Sequence, residues 1–268
     1  MPSQGRNVNE SRRGAPVLGA YIDALSWDET LARLLTWGRS RESRYVAISN
    51  VHVVVSAWRA PSFRAVINGA DMATPDGAPI AWMLRRQGFA TQPRISGPDL
   101  TWELCRRCAA EALPVYFYGS IPETLEALRA RLNAALPDLI ICGLESPPFR
   151  PLSAAEDAAV TARINASGAA IVFVGLGCPK QEIWMAEHHG TINAVMIGVG
   201  AAFDFHARTI KRAPRWMQDR GLEWLHRLFT EPRRLWKRYL VTNTLFLCGA
   251  AWQLVCKARR TENGRSSR

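Results

Sequence analysis

Short apolar runs alternate along the chain with longer amphipathic stretches, and turn residues punctuate almost every junction. Residues 17–22 read as a first strand. Ser26 then opens a helix, with Glu29 three residues on as its capping-box partner and Leu31, Leu34 and Leu35 as its buried stripe. Residues 44–48 are the next strand, closed by Ser49-Asn50 before the apolar segment 51–58. Residues 66–72 lead into Ala73-Thr74-Pro75-Asp76-Gly77 and an apolar helix at 79–84. A helix opened by residues 94–100 carries Cys105 and Cys108. Strands at 115–118 and 139–144 bracket a helix that starts at Pro122, and Ser153 caps the next helix. Strands at 171–174 and 194–199 complete the alternation, which predicts a parallel sheet covered by helices on both faces.

The most informative stretch is 171–215. Its two apolar runs end in Gly175-Leu176-Gly177 and in Gly200, so both glycine turns fall where strands of an open parallel sheet present ligands. Free N–H groups at a helix start suit a phosphate there. Lys180 beside the first turn suits the same phosphate side as Gly175 and Gly177, while Gln181 and Glu182 suit ribose, base or sugar hydroxyls. The spacing alone does not choose, because glycines also simply turn a chain. The third glycine of a dinucleotide fingerprint and the Walker A motif are both missing. Asn50 and Asp76 sit at equivalent strand ends, although Asn is also a common helix cap and Asp-Gly a common turn.

Charge changes the picture at the C-terminus. Of a net charge of +11, residues 208–238 supply +7, from ten basic and three acidic side chains. Those bases are interleaved with Trp216, Trp224 and Trp236, and Trp216, Leu222, Leu225 and Phe229 fall near helical spacing. Residues 239–256 carry no charge but include Thr242, Asn243, Thr244 and Gln253, at the lower length limit for a membrane helix. Three readings fit: a helix lying on an anionic membrane surface through Arg212, Arg215, Trp216, Arg220, Arg227, Arg233, Arg234, Trp236, Lys237 and Arg238; a helix pair packed on the domain; or a nucleic-acid surface. The division expected is a disordered tail at 1–15, an α/β domain at 16–207, a basic helical appendage at 208–258 and a disordered tail at 259–268.

Six cysteines show no disulfide pattern, and Cys105-x-x-Cys108 lies within a helix without a second ligand pair, so both read as core residues. His188-His189 lack a carboxylate at ligand spacing and read as surface residues; no metal and no cofactor are expected. The polar N-terminus has no apolar signal core, so the chain is expected to remain in the cytosol.

Several motifs in fixed order resemble the WecG/TagA/CpsF family of bacterial glycosyltransferases, glycosyltransferase family 26. They are Thr74-Pro75-Asp76-Gly77, Arg94-Ile95-x-Gly97-x-Asp99-Leu100, Tyr116-Phe117-Tyr118-Gly119, Gly175-Leu176-Gly177-x-Pro179-Lys180-Gln181-Glu182 and Gly198-Val199-Gly200-Ala201-x-Phe203-Asp204. Arg212-Ala213-Pro214-x-Trp216, Gly221-Leu222-Glu223-Trp224, Arg227-Leu228 and Glu231-Pro232 follow. The resemblance implies a Rossmann-like fold. It also implies inverting transfer of a sugar, such as N-acetylmannosamine, its uronic acid or glucuronic acid, from a UDP-sugar to a polyprenyl-diphosphate-linked saccharide. The work would take place peripherally, at the cytoplasmic face of the inner membrane, through the C-terminal segment. By the same resemblance Asp76 is the base, Asn50 and Arg94 are site residues around it, Thr74 and Gly77 beside it are expected to bind substrate, and Gln181 and Asp204 lie near the donor.

The sequence departs from the family pattern twice. Ile48 stands where Thr is frequent, so a substrate hydroxyl contact is lost or passes to Ser49, and Arg208 stands where Gly is frequent, so Arg208 must avoid positive φ or be strained. A nicotinamide oxidoreductase lacks its fingerprint here, and a nucleic-acid binder rests on the basic tail alone. Oligomeric state stays open, with a homo-oligomer among the partners considered.

Overall fold

The computed structural model describes residues 12–265. A two-stranded antiparallel hairpin, β1 (Gly14–Val17) and β2 (Ala20–Asp23), comes first. The single strand expected at 17–22 is therefore two: Leu18 and Gly19 both take positive φ and turn the chain back. Strand β1 also begins inside the stretch expected as tail, and residues 1–11 of that tail and 266–268 of the other lie outside the described residues.

Six parallel strands form the main sheet in the order β4 (Met72–Pro75), β3 (Arg44–Ser49), β8 (Val195–Gly198), β7 (Ile171–Gly175), β5 (Val115–Gly119), β6 (Ile141–Glu145). Alternate strand residues serve opposite faces, as the pleat requires. In β7, Val172 and Val174 enter one core, while Ile171 and Phe173 enter the other. The first core is closed by α2 (Val51–Arg59), α3 (Pro61–Asn68), α4 (Ala78–Arg86), α7 (Ala154–Ala166) and α8 (Lys180–Glu187), and the second by α1 (Trp27–Arg39), α5 (Gly97–Ala110), α6 (Pro122–Ala135) and α9 (Ala202–Ala207). This is the α/β, Rossmann-like arrangement expected. The capping boxes Ser26–Glu29 and Ser153–Glu156 both form, and Cys105 and Cys108 are buried in the second core, where burial raises both thiol pKa values.

The basic segment is not one continuous helix at its start. It breaks into α10 (Arg215–Asp219) and α11 (Glu223–Thr230) at Gly221, whose φ is +71°, before α12 (Pro232–Arg265). Trp216 thus stands on a different helix from Leu225 and Phe229. Helix α12 packs along α2 and the hairpin: Gln253 accepts from Leu18 N–H at 2.8 Å and donates to Pro16 O at 2.8 Å, and Gly249 lies against Leu18 and Trp58. Leu235, Thr242, Phe246 and Ala250 are buried on this side, while Trp236, Leu240, Leu247, Trp252 and Val255 stay exposed. Residues 232–257 are long and apolar enough, by length and composition, to cross a membrane.

Candidate active site

All six sheet strands end along one edge, and the expected site residues gather there. Asp76 follows β4, with its N–H donating to Ser49 O at 3.0 Å, so it lies directly beside the end of β3. Gly77 holds φ +91° as it turns the chain into α4, a conformation that favours glycine. Asn50, next along the edge, caps α2: its Oδ1 accepts from His52 N–H and Val53 N–H at 3.0 and 3.2 Å. Asn50 thus does the capping work open to it from sequence, and its amide nitrogen alone is left for another role. The Ser49 hydroxyl, the candidate substitute for the hydroxyl that Ile48 lacks, is buried and bonded to Ala47 O at 3.3 Å; it does not reach outward.

Around Asp76 runs a chain of alternating charge drawn from three distant segments. Arg94 Nε lies 3.5 Å from Asp76 Oδ1, and Arg94 Nη2 donates to Glu223 of α11. Glu223 also accepts from Arg212 Nε at 3.3 Å, and Arg212 forks onto Asp99 at 2.6 and 2.8 Å. Asp99 in turn accepts from Ser96 Oγ at the start of α5. The Asp76 side chain keeps 18% of its exposure, yet burial raises its pKa above the ordinary carboxylate value, against the pull of Arg94 and with a further push from Glu223. Asp99 moves the opposite way, because the Arg212 and Ser96 hydrogen bonds outweigh its own burial. The sequence alone assigns no role to Glu223 or Asp99. Both stand in the family-like motifs, but ion pairs spanning 113 and 129 residues leave no local periodicity to find.

At the other end, the two glycine turns meet on one amide. Gln181 is 4% exposed; its Oε1 accepts from Gly177 N–H at 3.2 Å and Gly200 N–H at 3.1 Å, and its Nε2 donates to Glu182 Oε1 at 3.0 Å. The N–H groups expected to face a phosphate are therefore bonded inward, and Gln181 and Glu182 point into the protein. Glycine at 198 leaves the room this needs, since a Cβ there would meet the Gln181 amide at 3.0 Å and Met185 Cε at 2.7 Å. Glu182 is fully buried; burial raises its pKa, and its Oε2 has no hydrogen-bond partner. Lys180 remains exposed at the mouth, and the Thr74 hydroxyl is buried without a partner. Gly175 packs against Phe203, and its O accepts from Ser120 N–H at 3.2 Å.

Between these ends the C-terminal segment crosses over the edge. The pKa of Asp204 is raised by burial, with Arg234 and Arg227 pulling it down and Glu231 pushing it up. Burial and nearby Arg238 lower His52 to about 4, so its imidazole is neutral at physiological pH. The Nε atoms of Arg94, Arg227 and Arg238 are all buried without a hydrogen-bond partner. Several arginines expected on a membrane surface therefore face this edge instead: Arg212 and Arg227 are largely covered and ion-paired, and Arg238 faces His52. Arg215, Trp216, Arg220, Arg233, Arg234, Trp236 and Lys237 do lie outside, apart from the Arg234 pair with Glu231.

His188 is a correction. It is 5% exposed, with Nδ1 at 2.7 Å from Trp184 O and Nε2 at 3.1 Å from Asp157, while His189, more open to solvent, pairs with Asp71 at 3.3 Å. Arg208 takes the second alternative open to it: it caps α9 at φ +60°, ψ +20°. Among the described residues no three His, Cys, Asp or Glu side chains converge as a metal site would need. Residues 15–260 match the model of the glycosyl transferase WecG/TagA/CpsF family. The chain belongs to the WecG/TagA/CpsF family of glycosyltransferases.

Proposed function

We propose that this transferase moves a sugar from a UDP-sugar to a polyprenyl-diphosphate-linked saccharide, with inversion at the anomeric carbon and without a metal. The observation that carries the reading is that the Nε atoms of Arg227 and Arg238 are buried without a hydrogen-bond partner near His52 and Asp204, at the edge where Arg94 faces Asp76. Buried donors of this kind call for acceptor oxygens, and a diphosphate supplies them.

In this mechanism Asp76 removes the proton from the acceptor hydroxyl as that oxygen attacks the anomeric carbon. A raised pKa makes its carboxylate a stronger base than an exposed Asp, and Arg94 holds it ionised and oriented. The bond to the departing UDP breaks on the opposite side, and the charge gathering on the diphosphate is met by arginines already held in place. Arg227 and Arg238 supply that charge, with Lys180 at the mouth; Gly175, Gly177 and Gln181 shape the turn beneath. Asp204 faces the donor from the first turn of α9, and Asn50 offers its amide to a sugar hydroxyl.

Attachment to an anionic membrane surface is part of the same reading. One side of α12 is occupied by α2 and the hairpin, which favours a helix lying in the plane of the interface, with Trp236, Leu240, Leu247, Trp252 and Val255 toward lipid. Arg220, Arg233 and Lys237 would meet the headgroups. The test is UDP release from a panel of UDP-sugars with a polyprenyl-diphosphate acceptor and EDTA present, wild type beside Asp76→Asn. Turnover of a donor that the variant loses while remaining folded supports the reading; equal turnover by both proteins removes Asp76 from the chemistry.

A further inference from the structure

A cavity of about 980 Å³ lies between α1, α5, α6, α9 and the 208–215 segment, and Asp76, Arg94, Asn50, Gln181 and Asp204 are not among the residues that line it. Its walls combine rings and bases. Trp27, Trp102, Phe205 and His206 line it, with Trp102 and His206 stacked at 5.6 Å. The two carboxylates in the lining are already committed: Asp99 to Arg212, and Glu103 to Arg106 and Arg107. Arg131, Arg208, Lys211 and Arg215 also line it and make no ion pair among the described residues. The cavity therefore holds an excess of positive charge with no counter-ion supplied by the protein.

Two of those bases crowd each other. Burial lowers the Arg131 pKa, and the neighbouring Arg208 guanidinium lowers it further. Arg208 reaches this place from a left-handed backbone that disfavours a non-glycine residue. His206 Nε2 lies 2.8 Å from Pro98 O, a pure acceptor, so Nε2 carries the proton and Nδ1 offers a lone pair. Trp27 keeps its indole N–H for Arg94 O at 3.1 Å and offers only ring to the cavity.

Aromatic faces for the C–H side of a pyranose, with guanidinium forks for carboxylates, describe a receptor for a charged sugar. We propose that this cavity is a second, non-catalytic site that binds an acidic saccharide of about two rings. The volume lies at the upper end of ordinary small-molecule sites, about 300–1,000 Å³, and above the need of a single hexose. Arg212 both lines the cavity and belongs to the ion chain that reaches Asp76, so the two sites adjoin at its guanidinium.

The test is calorimetric titration of the full chain with a hexuronic-acid disaccharide, its neutral counterpart, inorganic phosphate and UDP. Wild type is compared with Arg131→Ala and Arg208→Gly; the second change places glycine at a positive-φ position and so keeps the fold. The uronic disaccharide is expected to bind one to one, about tenfold more weakly in each variant for the loss of a charge-assisted bond. UDP binding is expected to be the same in all three proteins and not to displace the disaccharide. Four results would overturn the proposal: no disaccharide binding, equal affinity in wild type and both variants, equal affinity for the neutral sugar, or displacement by UDP. Phosphate binding as tightly as the disaccharide would likewise reduce the site to an adventitious ion only. Because the readout is binding, failure here leaves the transfer assay, and the reading of Asp76, untouched.

Discussion

The two ends of the strand edge are built on opposite principles. At the β4 end, Asp76, Arg94, Glu223, Arg212 and Asp99 form a chain of ion pairs that joins the sheet to the C-terminal segment. At the β7–β8 end, one uncharged side chain, Gln181, ties two backbone turns together by hydrogen bonds that involve nothing from that segment. Ion pairs between partly exposed groups exchange partners and shift with pH; a buried amide bonded to two N–H groups does neither. One end is suited to proton transfer, and the other to holding shape.

Mutations that test this contrast should fall on different observables. Asp76→Asn has the largest expected effect: turnover falls about 10²–10⁴-fold, the usual worth of a positioned base. Its folding stability near neutral pH should be unchanged or higher. A carboxyl with a raised folded-state pKa lowers stability as pH rises through and above its ordinary value, and the amide removes that cost. Gln181→Ala should do the reverse. It strands the N–H groups of Gly177 and Gly200 and the Oε1 of Glu182, for a loss of about 2–4 kcal/mol in urea unfolding. If Gln181→Ala unfolds like wild type, the turns are held by something else and the contrast fails.

Glu223→Gln sharpens the comparison. Glu223 helps to raise the Asp76 pKa, so its neutralisation should lower that pKa and move the acid limb of the pH–rate profile to lower pH. An unmoved limb would separate Glu223 from the base. The smallest effect lies between the two ends, at His52. Its folded-state pKa of about 4 is below the ordinary 6.5, so the unfolded chain takes up the proton first and stability falls on acidification from 6.5 toward 4. In His52→Gln that part of the stability profile should flatten, with no difference from wild type above about pH 7.

What could be read from the sequence was local. Ser26 with Glu29, and Ser153 with Glu156, announce helix starts because both partners lie within one turn. The strand-end positions of Asn50, Asp76, Gly177 and Gly200 follow from apolar runs meeting turn residues. The Leu18–Gly19 hairpin is hidden because Leu is a poor signal for positive φ inside an apolar run. The inward direction of Gln181 is hidden for a different reason: a polar residue after a glycine turn reads the same whether it faces solvent or bonds the neighbouring turn. Arg212, Arg227 and Arg238 read as surface charge because most of what they face on the sheet edge lies far away in sequence, and only the crossing of the C-terminal segment brings them together.

That crossing sets an order of assembly. The sheet, both of its cores and Asp76 are encoded almost wholly before residue 208, so a growing chain can form them while its end is still being made. Glu223, Arg227 and Arg238 arrive after the sheet, and Gln253 fastens α12 to the β1–β2 hairpin, which precedes every strand of the sheet in the chain. A chain that ends before residue 208 keeps every strand of the sheet but lacks the side chains that cover the strand edge. Only a chain translated past Arg238 carries the full set of charges, so the edge around Asp76 is completed by the segment that is made after the sheet.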